Sequence, residues 1–76
     1  MKLSECEINK KYHVTDIQLD ADVKRRFEML GMTHSTTVEV LGKKKNGGLI
    51  FKMRGTRFAI GKKFADGIFA EVDKGE

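Results

Sequence analysis

Few side chains in this sequence are suited to metal binding or to acid–base chemistry at neutral pH. The 76 residues include one cysteine, Cys6, and two histidines, His13 and His34. A ferrous or zinc site needs three or more His, Cys, Asp or Glu ligands brought together, and no recurring ligand spacing is present. We therefore predict no bound metal and no other cofactor, although folding could bring Cys6 and His13 together for incidental binding of a soft metal.

Motifs for catalysis are also absent from the sequence. No Ser, Cys or Lys nucleophile stands at a recognisable spacing from a base, and the simplest interpretation of Cys6 is a partly buried, small apolar side chain. The glycines at Gly47-Gly48 lack the Gly-x-x-x-x-Gly-Lys-Ser/Thr arrangement that cradles nucleotide phosphates. We predict that the protein is not an enzyme.

The charge balance leaves a binding role open. Fifteen Lys and Arg against eleven Asp and Glu give a formal net charge of +4 and a pI near 9.4, which suits a nucleic acid or an acidic protein surface. Much of the excess lies in Lys43-Lys44-Lys45 and Lys62-Lys63. Short lysine clusters are often only solvating, and little aromatic interleaving accompanies them, so nucleic-acid binding ranks as the alternative.

Alternation of apolar and polar residues predicts the elements that position these side chains. Tyr12 and Val14 share one parity while Ile17 and Leu19 take the other, which indicates a bulge in the first strand. A chain of this length supplies one domain, residues 1–76, with a small core. The predicted strands are Lys11 to Leu19, Thr36 to Leu41, Leu49 to Arg54, Arg57 to Gly61 and Ile68 to Val72.

One short helix is predicted after the first strand. Asp20 is a candidate N-cap, and Val23, Phe27 and Leu30 follow at helical spacing, which predicts that all three pack against the sheet. Gly31 stands where a left-handed residue would end the helix. Gly55-Thr56 is expected as a two-residue hairpin turn, and residues 62–67 are expected as a further turn. The elements describe a strongly bent antiparallel barrel, mainly β.

These residues resemble the FeoA family over nearly the whole chain. The likeness rests on the stretch from Arg26 to Met32, on Val38-Glu39-Val40, on Arg54-Gly55, and on the closing Ala65, Ile68 and Val72. It implies an SH3-like barrel and a cytoplasmic accessory protein that binds the GTP-binding domain of FeoB, a ferrous iron transporter. Thr33-His34-Ser35 departs from the Pro-Gly turn that is usual in the family.

The resemblance leaves a further alternative, because a related barrel forms the carboxy-terminal domain of iron-dependent repressors. A metal-responsive regulatory module is therefore possible by fold, although the short chain favours the transport accessory. The longest apolar runs are far shorter than the roughly 20 residues of a membrane-spanning helix. We expect a cytoplasmic protein that its partner recruits to the inner face of the membrane, without insertion.

The end of the predicted helix is the expected partner surface. It combines charges that can orient a partner with flexible apolar side chains, and methionine suits an adaptable interface. Met29 and Met32 cannot both face the core if Leu30 continues the inward stripe, although both could instead cover the open end of the barrel. Phe69 is expected outward, where it covers the barrel edge or meets a partner. The predicted partner-binding residues are Arg25, Glu28, Met29, Met32 and His34.

Overall fold

An antiparallel sheet organises the chain in the computed structural model, which describes residues 1–73. Five strands, two α-helices and a short 3-10 helix occur in this range. The strands are ordered β4-β3-β2-β1-β5 across the sheet. In chain order the elements are the 3-10 helix Leu3–Glu5, β1 Lys11–Ile17, α1 Ala21–Met29, β2 Thr37–Lys43, β3 Leu49–Met53, β4 Thr56–Ile60, α2 Lys62–Gly67 and β5 Ile68–Val72.

Two irregularities bend the sheet into a barrel. The pairing of β1 with β5 shifts register between Val14 and Asp16, as the change of parity in the first strand predicted. A second shift separates Val40 from Gly42 where β2 pairs with β3. Because each extra residue increases the local twist, the sheet curls and its concave face encloses the core. The predicted fold class is confirmed.

The β3–β4 hairpin follows the predicted alternation, but its turn is displaced by one residue. Met53 pairs with Thr56, so the turn residues are Arg54 and Gly55, with φ of 54° and 81°. Two successive positive φ values belong to the turn type whose twist matches a hairpin, with glycine favoured at the second position. The expected Gly55-Thr56 turn is therefore wrong by one position. Leu49, Phe51 and Met53 are buried, as predicted.

Apolar side chains from all five strands line the interior, with Phe58 and Ile60 of β4 only partly buried against it. Cys6 belongs to this core and is fully buried, which agrees with its interpretation as a small apolar side chain. Burial raises the pKa of its thiol to about 11 from an ordinary value of 9.0. The buried apolar residues are Leu3, Cys6, Tyr12, Val14, Ile17, Phe27, Met32, Val38, Val40, Leu49, Phe51, Met53, Ala65, Ile68 and Ala70.

Residues 62–67, expected as a turn, form the helix α2. Ala65 is buried on its inner face, and the Lys62 ammonium contacts the Asp66 carboxylate at 2.7 Å, one helical turn away. The Ser4 hydroxyl donates a second hydrogen bond to Asp66 at 2.6 Å and ties α2 to the 3-10 helix. Within residues 1–73, no helix combines the length and apolar character required to cross a bilayer.

Candidate functional site

The helix α1 ends in a turn that reverses the chain at Gly31. The Met32 N–H donates to the Phe27 carbonyl at 2.9 Å, and the Gly31 N–H donates to the Glu28 carbonyl at 3.0 Å. This pair of bonds defines a Schellman motif, whose reversal requires a left-handed residue, and Gly31 has a φ of 107°. The predicted helix end at Gly31 is confirmed.

This reversal decides which apolar side chains reach the core. Met32 follows the turn and is fully buried, in line with the apolar contact that Schellman motifs place between this position and the one occupied by Phe27. Leu30 precedes the turn and is 52% exposed. The prediction that Leu30 packs inward is therefore wrong, as is the expectation that Met32 is exposed. Phe27 is buried as predicted, while Val23 is only partly buried.

The outermost side of α1 is both charged and apolar. Arg25 is exposed, and Met29, one turn later on the same side, is 80% exposed. Leu30 continues this exposed apolar surface at the end of the helix. Single exposed apolar side chains are common on protein surfaces, but Met29 and Leu30 are consecutive and together form an exposed apolar patch.

An apolar cavity of about 170 Å³ lies between α1 and α2. The rings of Phe27 and Phe64 meet edge to face at its base, with centroids 5.8 Å apart and an interplanar angle of 88°. The exposed Leu30 forms part of its rim, as does the exposed Arg26. A partner side chain entering this cavity would contact apolar groups with one cation at the edge.

A second cavity, of about 180 Å³, lies on the other side of α1 and is lined by charged as well as apolar residues. Glu28 and His34 both line it, together with Lys24 and Asp16. Hydrogen bonds from the Gln18 side chain and from the Ile17 N–H hold the pKa of Asp16 below its ordinary value. Both signs of charge are thus present beside α1.

Hydrogen bonds hold the loop that carries His34. The Thr36 hydroxyl donates to the Gly31 carbonyl at 3.1 Å and accepts from the Thr33 N–H at 2.9 Å. The Arg54 guanidinium also donates to the Gly31 carbonyl, at 3.1 Å. Ser35 takes a φ of 73°, which glycine adopts more easily. Side-chain hydrogen bonds therefore stabilise the Thr33-His34-Ser35 segment, which contains neither proline nor glycine.

Four of the five predicted partner residues share this region, which we name the α1 surface. Met32 is excluded from it by burial, and Leu30 joins it because the helix ends one residue before the chain turns inward. Phe64 of α2 packs against Phe27 beneath this surface. The sequence did not predict this contact, because residues 62–67 were expected to form a turn. The α1 surface consists of Arg25, Glu28, Met29, Leu30 and His34.

The candidate metal ligands do not converge. Across the described part of the chain, no three His, Cys, Asp or Glu side chains are placed to hold a metal ion. Cys6 faces the core, where its thiol donates to the Lys2 carbonyl at 3.5 Å. His13 follows the inward Tyr12 on β1 and lies beside Glu71, with 3.9 Å between Nε2 and Oε1. Cys6 and His13 therefore lie on opposite sides of the sheet.

Comparison with known protein families decides the broader assignment. The FeoA domain matches residues 1–72. The chain belongs to the FeoA family. This family is associated with ferrous iron transport, and the resemblance read from the residues is confirmed. No curated protein matches the sequence.

Solved FeoA structures share the whole architecture. FeoA from Chlorobium tepidum is similar over 100% of this chain and 73% of that one, with a TM-score of 0.89 and 26% identity. FeoA from Stenotrophomonas maltophilia, complexed with zinc, is similar over 93% of this chain and 89% of that one, with a TM-score of 0.79 and 29% identity. That protein is described as a prokaryotic SH3 domain protein and as a candidate activating factor of ferrous iron transport. The SH3-like barrel is thereby confirmed.

A manganese-dependent transcriptional repressor shares the fold over 95% of this chain and 40% of its own, with a TM-score of 0.79 and 21% identity. At this identity the likeness concerns the fold alone.

Proposed function

We propose that this FeoA-family protein binds the cytoplasmic GTP-binding domain of the FeoB transporter through the α1 surface and thereby supports ferrous iron uptake. It acts in the cytoplasm as a non-catalytic binding module, and any GTP hydrolysis belongs to the partner. The observation that carries the proposal is the exposure of Met29 and Leu30, at 80% and 52%, beside an apolar cavity.

The energetics of this surface favour a protein partner. Burying a methionine or leucine side chain contributes roughly 1.5 to 3 kcal/mol, and Met29 and Leu30 are still 80% and 52% exposed. Such anchors work best where neighbouring groups also lose water, and the cavity walls formed by Phe27 and Phe64 supply that setting. Met29 and Leu30 therefore have the character of interface anchors.

The charges around the anchors favour one orientation of the partner. Arg25 and Arg26 are exposed on α1, whereas Glu28 and His34 line the second cavity, on the other side of the helix. Charges at the rim of an interface mainly steer association and fix its register. A complementary partner would place acidic groups near the two arginines and an apolar side chain in the cavity.

The test is a pair of matched double variants. In Arg25→Glu with Met29→Asp, both changes fall on the α1 surface. In Arg57→Glu with Ile8→Asp, the same kinds of change fall on β4 and on the loop before β1, where Ile8 is 45% exposed. All four side chains are exposed, so both variants should melt near wild type.

The readouts are capture of the purified FeoB cytoplasmic domain and ferrous uptake in cells that lack their own FeoA. We expect the α1 variant to lose capture and uptake while the control retains both. Normal capture and uptake by a folded α1 variant would refute the proposed surface. Loss in both variants alike would show that the effect is not specific to α1.

A further inference from the structure

A second surface of the molecule is basic and separate from the α1 surface. It joins two segments that are distant in sequence, the loop after β2 and the start of α2. The aliphatic stem of Lys62 lies against Gly47, since a Cβ built on Gly47 would come within 2.7 Å of Lys62 Cδ. We name this surface the lysine patch. It consists of Lys43, Lys44, Lys45, Lys62 and Lys63, all of which are exposed.

Little negative charge offsets the lysine patch. A cavity of about 270 Å³ at its centre is lined by three of the lysines and by one carboxylate, Asp66. Asp66 is engaged by Lys62 at 2.7 Å and by the Ser4 hydroxyl at 2.6 Å, and these hydrogen bonds lower its pKa, so it stays ionised and neutralises a single lysine. The other four patch lysines form no salt bridge with any residue from 1 to 73.

The backbone holds the patch in one shape. The Lys44 N–H donates to the Gly48 carbonyl at 2.8 Å, and the Gly47 N–H donates to the Lys44 carbonyl at 3.0 Å. The Asn46 side chain accepts from the Gly48 N–H at 3.0 Å. These bonds and the packing on Lys62 fix the backbone from which the loop lysines extend.

The composition of the patch discriminates between anionic ligands. All four arginines of the chain lie outside the patch: two are in α1, one is in the turn between β3 and β4, and one is in β4. Bidentate contacts to phosphates and bases are typical of arginine, whereas lysine acts as a point charge. No aromatic side chain among residues 1–73 is fully exposed for base stacking. These features disfavour a nucleic acid and suit a diffuse layer of negative charge.

We propose that the lysine patch docks the protein on the anionic phospholipid headgroups of a membrane surface. Clusters of four to eight basic residues are attracted to such surfaces, with about a five-fold gain in binding for each lysine that reaches the headgroups. The choice of a bilayer rests on the proposed function, because a partner embedded in a membrane brings this protein to one.

Docking through the patch leaves the Met29 end of the α1 surface accessible. Lys63 borders the cavity that also contains Leu19, Asp20 and Val23, so the patch adjoins the beginning of α1. Met29 lies at the opposite end of that nine-residue helix, roughly 12 Å away along its axis. Lipid contact at the patch and protein contact at Met29 are therefore compatible.

The test uses the full chain and protein-free vesicles, so that its result does not depend on the transporter. Binding is measured by co-sedimentation with vesicles of phosphatidylglycerol in phosphatidylcholine and with phosphatidylcholine alone. The patch variant carries Lys43→Gln, Lys44→Gln and Lys45→Gln. The control variant loses the same charge on the outer face of the sheet, through Lys11→Gln, Lys52→Gln and Arg57→Gln. These three residues are neighbours across the strands, because Lys11 and Lys52 both pair with Glu39 and Arg57 pairs with Lys52.

We expect binding to the anionic vesicles only, lost near 1 M salt, where the screening length is about 3 Å. The patch variant should bind about one hundred-fold more weakly and the control less than ten-fold more weakly. Absence of binding to anionic vesicles at low salt would overturn the proposal, and so would equal weakening in the two variants. Tighter binding to duplex DNA than to the vesicles at the same salt would replace the bilayer with a nucleic acid.

Discussion

The barrel core and the α1 surface contain the same kinds of apolar residue in opposite environments. Met32 and Met53 are 0% and 1% exposed, whereas Met29 is 80% exposed. Leu49 is 1% exposed, whereas Leu30 is 52% exposed. Between Met29 or Leu30 and Met32, the difference follows from the side of the Schellman turn on which each residue lies, whereas Leu49 and Met53 are buried because they occupy inward positions of β3. The apolar side chains of Met29 and Leu30, which the core does not bury, remain on the surface.

The two regions should therefore respond differently to the same substitution. In the core, a deleted methylene leaves a cavity and costs free energy of unfolding. On the α1 surface, it leaves the free energy of unfolding almost unchanged, and under the proposed function it removes contacts with the partner. The distinction between the two regions would fail if a substitution on the α1 surface destabilised the fold, or if a substitution in the core did not.

The largest contrast is expected between two methionines three positions apart. Met32→Ala should lower the free energy of unfolding by about 2 to 5 kcal/mol, because it empties fully buried volume. Met29→Ala should change it by less than about 0.5 kcal/mol. Urea denaturation of both variants gives the two values from one type of experiment. Similar destabilisation by the two substitutions would invalidate the distinction between core and surface.

Cys6 provides a chemical measure of the closed core. Burial holds its pKa near 11, so at pH 8 the thiolate fraction is about one hundred-fold lower than for a thiol of pKa 9.0. Iodoacetamide should therefore modify the native protein at least that much more slowly than the urea-unfolded chain, as measured by mass spectrometry. Rapid modification of the native protein would show that the core opens. Because the unfolded thiol ionises first, the stability provided by the buried neutral thiol should fall as pH rises from 9 toward 11.

The loop between α1 and β2 connects the two regions through Thr36. Thr36→Val preserves the shape of the side chain but removes the hydroxyl that bonds the Gly31 carbonyl and the Thr33 N–H. We expect a loss of about 1 to 3 kcal/mol in free energy of unfolding, because a part-buried N–H loses its partner. Thr37→Val serves as the control, because at this neighbouring exposed position it removes a hydroxyl whose hydrogen bond to the Asp73 carboxylate, at 2.9 Å, is exposed. Equal stability of the two variants in thermal melts would contradict this role for Thr36.

A smaller effect on stability than at Thr36 is expected at Leu30. Leu30→Ala should cost less than about 1 kcal/mol, since half of the side chain is already in water. Leu49→Ala, with the same chemistry in the core, should cost about 2 to 5 kcal/mol. Denaturation midpoints of the two variants make the comparison. A large cost at Leu30 would indicate that it supports the fold and is not reserved for a partner.

Most of the sheet could be predicted from the sequence because its physics is local. Alternation along β3 identified the buried Leu49, Phe51 and Met53, and the change of parity in β1 predicted its bulge. The last strand, Ile68–Val72, was predicted to the residue. In each case the side-chain period of two separates inward from outward positions.

The errors arose where the chain turns. Helical spacing alone predicted that the inward-facing stripe of α1 continues to Leu30. The chain instead reverses at Gly31, so that Met32 and not Leu30 is buried in the core. The helix α2 was missed because Lys62 and Lys63 dominate its short sequence and its stabilising contact from Ser4 comes from the other end of the chain. The hairpin turn was displaced because Arg54, which is not a typical turn residue, takes a positive φ.

The central claim is that the α1 surface meets the transporter, and chemical-shift mapping tests it most directly. The isotope-labelled protein is titrated with the unlabelled FeoB cytoplasmic domain, and each backbone amide is followed. We predict that the largest changes fall on Arg25, Glu28, Met29, Leu30 and His34, while the amides of β3 and β4 stay unperturbed. Changes confined to the β3–β4 hairpin or to the lysine patch, or no changes at saturating partner, would contradict the account.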